Sequence, residues 1–96
     1  ADLEYLKYGL TDHFKAHTDD IKTGKKRRRF TTITMLSKTD DMVGGELLAF
    51  SNKNNKYDVD LQVGETVVFY SSTMHQVLPI TCGGREVLVG WIYDRN

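Results

Sequence analysis

The chain has 96 residues, enough to build one hydrophobic core and too few for two. Thirteen Lys plus Arg balance thirteen Asp plus Glu, so no global field draws the protein to nucleic acid or a membrane surface, and any such partner needs a local patch. With 40% hydrophobic and 27% charged residues the composition excludes disorder. The single cysteine excludes an internal disulfide framework, and no apolar run approaches the roughly 18 residues of a membrane span. A cytoplasmic or otherwise reducing setting is the expectation. The chain starts at Ala1 without Met and shows no signal peptide, and we expect that material has been removed ahead of it.

Glycines at Gly9, Gly24, Gly44-Gly45, Gly64 and Gly83-Gly84 punctuate apolar or alternating runs, the pattern of a strand-rich protein. In chain order the expected strands are Leu3 to Tyr8, His13 to Asp19, Arg29 to Leu36, Glu46 to Phe50, Tyr57 to Leu61, Thr66 to Tyr70, His75 to Ile80 and Arg85 to Tyr93. Phe30-Thr-Thr-Ile-Thr, Thr66-Val-Val-Phe-Tyr and Val87-Leu-Val-Gly-Trp-Ile-Tyr carry the β-branched and aromatic residues that suit a pleated, half-buried surface. No stretch keeps a helical period. About eight short strands in one small all-β domain, residues 1–96, predict a sandwich or barrel.

Strand neighbours two apart share a face, so His13, Lys15, His17 and Asp19 project together and Phe14 and Ala16 face the other way. A His-x-Asp pair on one strand face plus a later histidine is what a two-histidine, one-carboxylate metal triad requires, with coordination positions left open on Fe(II). His75 is the natural third ligand. Arg85 shares its strand face with Val87, Val89, Trp91 and Tyr93, an otherwise apolar wall. A guanidinium buried there needs an anion, because an unpaired buried charge costs several kcal/mol and a carboxylate fits its planar fork.

The ordered set Tyr8-Gly9, Phe14, His17-x-Asp19, Arg29-Phe30, Gly44-Gly45-Glu46-Leu47, Gly64-Glu65, Val68-Phe69, His75-Gln-Val-Leu-Pro79 and Arg85 through Trp91 resembles the 2-oxoglutarate and Fe(II)-dependent dioxygenases. The similarity runs from about Tyr5 to Tyr93 and is to the prolyl 4-hydroxylase-like branch. The resemblance implies a double-stranded β-helix, jelly-roll or cupin-like, reduced to a minimal core. It implies that His17, Asp19 and His75 hold Fe(II) and that Arg85 clamps the distal carboxylate of the cosubstrate 2-oxoglutarate. Tyr8 would add a hydroxyl to that cosubstrate, and Leu47, Val89 and Trp91 would form apolar walls. It further implies O2 as co-reactant, ascorbate as accessory reductant, and a prolyl or other side chain of a peptide or protein as substrate. Relatives of this kind carry helices on one sheet. An uncovered apolar sheet face is therefore expected here, with homo-oligomer formation as one way to cover it.

Two readings compete with the hydroxylase: a non-catalytic β-helix binding module that retains the metal motif, and a nucleic-acid oxidising dioxygenase. The intact triad and Arg85 argue against the first. Neutral charge argues against the second, as does Arg85 lying ten positions after His75, since the nucleic-acid relatives place this arginine later. His13 and His17 have the spacing of a helical zinc pair, but Phe14 stands where the glutamate of that motif belongs. The basic run Lys25 to Arg29 reads as a loop or strand start that could meet an acidic peptide. Cys82, in a glycine turn, reads as inert.

Overall fold

Every helix or strand among the described residues is a strand, as alternation without helical period requires. The computed structural model describes residues 2–23, 26–52 and 54–95. These form β1 (Asp2–Tyr8), β2 (Phe14–His17), β3 (Lys22–Thr23), β4 (Lys26–Lys38), β5 (Val43–Gly44), β6 (Leu47–Phe50), β7 (Lys56–Asp58), β8 (Thr66–Tyr70), β9 (His75–Val77), β10 (Ile80–Cys82) and β11 (Arg85–Arg95).

The larger sheet runs β1-β11-β4, and the far side of β4 is shared by β8, along Phe30 to Thr34, and β3, at Lys26 and Arg27. The smaller sheet runs β2-β9-β6-β7, and β10 and β5 form a separate antiparallel pair. The expected all-β, two-sheet fold is present, but several boundaries differ from expectation, among them the Tyr57 to Leu61 run, whose strand is Lys56–Asp58. The two-residue strands β3 and β5 are too short to show a period in sequence. The His13 to Asp19 run keeps only Phe14–His17 as strand. The His75 to Ile80 run splits into β9 and β10, because Leu78 N–H turns to Glu46 O at 3.0 Å and Ile80 N–H to Asp12 O at 3.2 Å, and β10 then pairs with β5. β4 begins earlier than expected, so Lys26 to Arg29 of the basic run are strand, and Lys25 lies outside the described residues.

Between the sheets, alternate residues of the long strands close the core: Thr31, Ile33 and Met35 from β4, and Val87, Val89 and Trp91 from β11. Leu47 and Val77 meet them from the smaller sheet, with Leu61 and Ile80 sealing the flank. Fully burying one such aliphatic side chain contributes about 1.5–3 kcal/mol, so the facing of the sheets is set mainly by these positions. Gly44 makes the crossing into β6 possible: its φ is +84°, and a Cβ there would lie 2.3 Å from Pro79 O.

The outer face of the larger sheet mixes exposed apolar side chains with polar ones, among them Thr34 and Thr66, which hydrogen-bond each other, and Glu86, bonded to Tyr5. Leu3 and Tyr5 on β1, Ile92 on β11 and Val68 and Tyr70 on β8 are all exposed, and Ile92, Phe30 and Tyr70 lie side by side in register. No described element covers this face, as expected. Among the described residues no helix is long and apolar enough to cross a membrane.

Candidate active site

The two histidines face each other across a strand pair. His17 on β2 is the register partner of His75 on β9, which puts both side chains on one face of the smaller sheet. Asp19 does not belong to that strand face, as the alternation argument had it; it follows β2 in a loop. Its backbone N–H donates to Ser71 O at 2.8 Å, and this bond carries the carboxylate back between the imidazoles. One carboxylate oxygen lies 3.3 Å from His17 Nε2 and the other 3.3 Å from His75 Nε2. One donor atom from each of the three residues falls within 4.8 Å of the other two.

The imidazole rings are oriented by their own backbones. His17 Nδ1 lies 2.6 Å from Lys15 O, and His75 Nδ1 lies 3.0 Å from Thr73 O. A carbonyl can only accept, so Nδ1 carries a proton, and Nε2 is the nitrogen that faces the shared space. Phe14 packs against His17 and the edge of Phe69 against His75, at 4.4 and 4.9 Å between ring centres.

Thr31 and Ser71, both fully buried, hold the carboxylate from behind. Thr31 Oγ1 donates to Asp19 Oδ2 at 3.0 Å and lies 3.0 Å from Ser71 Oγ. Burial works to raise the Asp19 pKa, but the His75 and Thr31 hydrogen bonds outweigh it and hold the carboxyl below its ordinary range. Burial likewise works to lower the His75 pKa, and Asp19 outweighs it, so the imidazole sits above its ordinary value. Two imidazole nitrogens and a carboxylate around one point are a donor set that a divalent cation satisfies.

Arg85, the first residue of β11, is 4% exposed and lies over the Tyr8 ring, 4.7 Å from its centre. Its Nε has no hydrogen-bond partner, and no carboxylate among the described residues forms an ion pair with it. Burial pushes the Arg85 pKa down and the Tyr8 phenol up, with each opposing the shift of the other. Tyr8 therefore remains a protonated donor beside a cation that lacks an anion.

One pocket of about 80 Å³ brings together His17, Asp19, His75, Arg85, Tyr8 and Trp91, with Val87 and Val89 as apolar wall. Leu47 is 3% exposed and borders a neighbouring cavity of about 90 Å³, which shares Arg85 with the first. Sequence reasoning missed Thr31 and Ser71, since a hydroxyl in a strand or turn carries no signal until its partner is known. His13 is exposed and bonds only to Thr11 O, outside the pocket. Cys82 is an exposed free thiol beside Asp41, whose negative charge holds its pKa up and disfavours the reactive thiolate.

Comparison with known proteins agrees with this geometry. Residues 3–93 match the family model described as the 2OG-Fe(II) oxygenase superfamily. A PKHD-type hydroxylase of Maricaulis maris is 36% identical over 76 residues, 79% of this chain and 34% of the relative. One from Stenotrophomonas maltophilia is 33% identical over 86 residues, 88% of this chain and 37% of the relative. The crystal structure of a Pseudomonas putida prolyl-4-hydroxylase superposes with a TM-score of 0.79 at 27% identity, covering 97% of this chain and 52% of that one. The viral collagen prolyl hydroxylase of Paramecium bursaria Chlorella virus-1 shares the fold, with a TM-score of 0.73 at 18% identity, covering 99% and 62%. The chain thus spans about a third of the length of these curated relatives and about half of the Pseudomonas structure. Two facing sheets with these neighbours make the fold a double-stranded β-helix.

Proposed function

Because the chain belongs to the 2OG-Fe(II) oxygenase superfamily, we propose that residues 1–96 carry the catalytic core of an Fe(II)- and 2-oxoglutarate-dependent hydroxylase acting on a prolyl or other side chain of a peptide or protein. The observation that carries this reading is the pairing, in one pocket, of a His-Asp-His donor set with a buried arginine that has no acid partner among the described side chains. The donors fit the iron. The lone guanidinium fits the distal carboxylate of 2-oxoglutarate, for which a charge-assisted fork gives both energy and orientation.

When bound, iron supplies the oxidation in which 2-oxoglutarate, O2 and a substrate C–H become succinate, CO2 and C–OH, one oxygen atom entering the new carboxylate and the other the hydroxyl. The protein's part is positional. His17 and His75 present Nε2 because their Nδ1 protons are tied to backbone carbonyls, and Asp19 is braced by Thr31 and Ser71. Arg85 neutralises the cosubstrate's far end, Tyr8 donates its phenol beside it, and Leu47, Val89 and Trp91 keep that end dry. Ascorbate as accessory reductant, a cytoplasmic setting and self-association through the bare outer face of the larger sheet belong to the same proposal. The binding-module reading is not favoured, since a guanidinium kept buried without an acid serves no packing purpose.

The test is turnover with Fe(II), 2-oxoglutarate and proline-containing peptides, scored as succinate released and as one oxygen atom added to peptide. His75→Ala should lower both by roughly a thousandfold or more, the scale of losing a machinery residue. Retained succinate formation in His75→Ala would overturn the site as drawn.

A further inference from the structure

Beside the triad pocket lies a second, polar cleft of about 260 Å³, walled by Asp20, Arg27, Arg28, Arg29, Tyr70 and Asp94. Its charges do not cancel. Arg27 pairs with Asp20 at 3.6 Å and Arg29 with Asp94 at 2.9 Å, and neither acid is left for the arginine between them. Among the carboxylates whose side chains are described, none forms an ion pair with Arg28, and its guanidinium lies 3.9 Å from the centre of the Trp91 ring.

Trp91 joins the two spaces. It lines the triad pocket, while Arg28, stacked on it, lines the polar cleft. The Asp19-Asp20 pair spans the same boundary, since Asp19 belongs to the metal donor set and Asp20 to the cleft. Trp91 Nε1 is buried without a hydrogen-bond partner, a second donor left open close to Arg28. Stacking on the ring removes water from one face of the guanidinium and fixes its plane, leaving the N–H edge to meet an anion.

From this arrangement we propose that Arg28 is a specificity-determining residue. It receives the carboxylate of an acidic residue that flanks the side chain to be hydroxylated, so the preferred substrate is an acidic peptide segment. The inference deepens the hydroxylase reading and rests on it. A peptide fits better than a nucleic acid. Two of the three arginines are already neutralised, which leaves one point charge for one carboxylate, whereas a phosphate backbone needs several contacts in a row. Glu4 borders the triad pocket and not the cleft.

Trp91 is the only tryptophan, so its emission reports on this site directly. The experiment titrates the full chain with blocked tetrapeptides that carry one proline and one neighbouring glutamate, against glutamine and lysine counterparts, following tryptophan fluorescence. Glutamate peptides should bind about tenfold more tightly than glutamine ones, the scale of one charge-assisted contact, with lysine peptides weakest. Arg28→Gln should abolish that difference and Arg28→Lys should restore part of it. Lys56→Gln, which removes the same charge on the distant β7, should keep it. Equal affinity for all three peptide series, equal loss in the Arg28 and Lys56 variants, or an oligonucleotide that displaces the peptide would each overturn the proposal. Succinate release with Fe(II), 2-oxoglutarate and the proline-containing peptides is measured separately on the unmodified chain. Its absence would sink the hydroxylase reading, while the glutamate preference is read from its own titration.

Discussion

The two sheets divide the work of the site unequally. The smaller one supplies both histidines from strands of four and three residues, Phe14–His17 and His75–Val77, with a register shift between Phe14 and His17. The larger supplies Arg85, Thr31 and Trp91 from strands of 13 and 11 residues, β4 and β11, paired along nearly their whole length. Short strands alone cannot hold ligands rigidly, since they bury little and leave many backbone groups to loops. Here the precision is borrowed: Asp19, the triad residue outside both sheets, is tied through Thr31 to the long strand β4. Arg85 needs no such brace because it starts a long strand itself.

If that division holds, substitutions behind the metal donors should act on metal binding, and substitutions around Arg85 on the cosubstrate. Thr31→Val keeps the shape and removes the hydroxyl that braces Asp19. We expect divalent metal affinity to fall about 10–100-fold, the usual cost of losing an outer partner of a ligand, read by competition with a chelator. Unchanged affinity would mean that the smaller sheet holds the carboxylate unaided. Gly44→Ala tests the crossing between β5 and β6. With a φ of +84° and Pro79 O in the way, it should destabilise the fold by about 1–3 kcal/mol in denaturant unfolding. Tyr8→Phe should weaken 2-oxoglutarate binding by only about 2–12-fold, the scale of one net hydrogen bond, and leave metal affinity as it was.

The same asymmetry explains what could be read from sequence. β11 was legible residue by residue, because Arg85, Val87, Val89 and Trp91 obey a strict period of two and are all buried. The triad was legible by residue type, spacing and resemblance, yet the local argument for it was only half right. His17 and Asp19 do converge, but through a loop and the Ser71 carbonyl, where strand alternation had been expected. Thr31 and Ser71 were invisible because hydroxyls in strands and turns are common and their value here is purely tertiary. Leu47, expected as a wall of the cosubstrate pocket, borders the adjoining cavity that shares Arg85 and not the triad pocket. The three arginines of the basic run looked alike in sequence. Only the positions of Asp20 and Asp94 single out Arg28.

The most direct test of the central claim, that the triad and Arg85 together form one iron and 2-oxoglutarate site, is anaerobic visible absorption. Fe(II) is added first and 2-oxoglutarate second, to the chain and to Arg85→Ala. The account predicts a weak charge-transfer band that requires both additions. In Arg85→Ala the same band should need about 30-fold more 2-oxoglutarate or beyond, as expected when one partner of a buried charge pair is truncated. A well-folded chain that shows no band, or a band whose 2-oxoglutarate dependence is the same in Arg85→Ala, would contradict it.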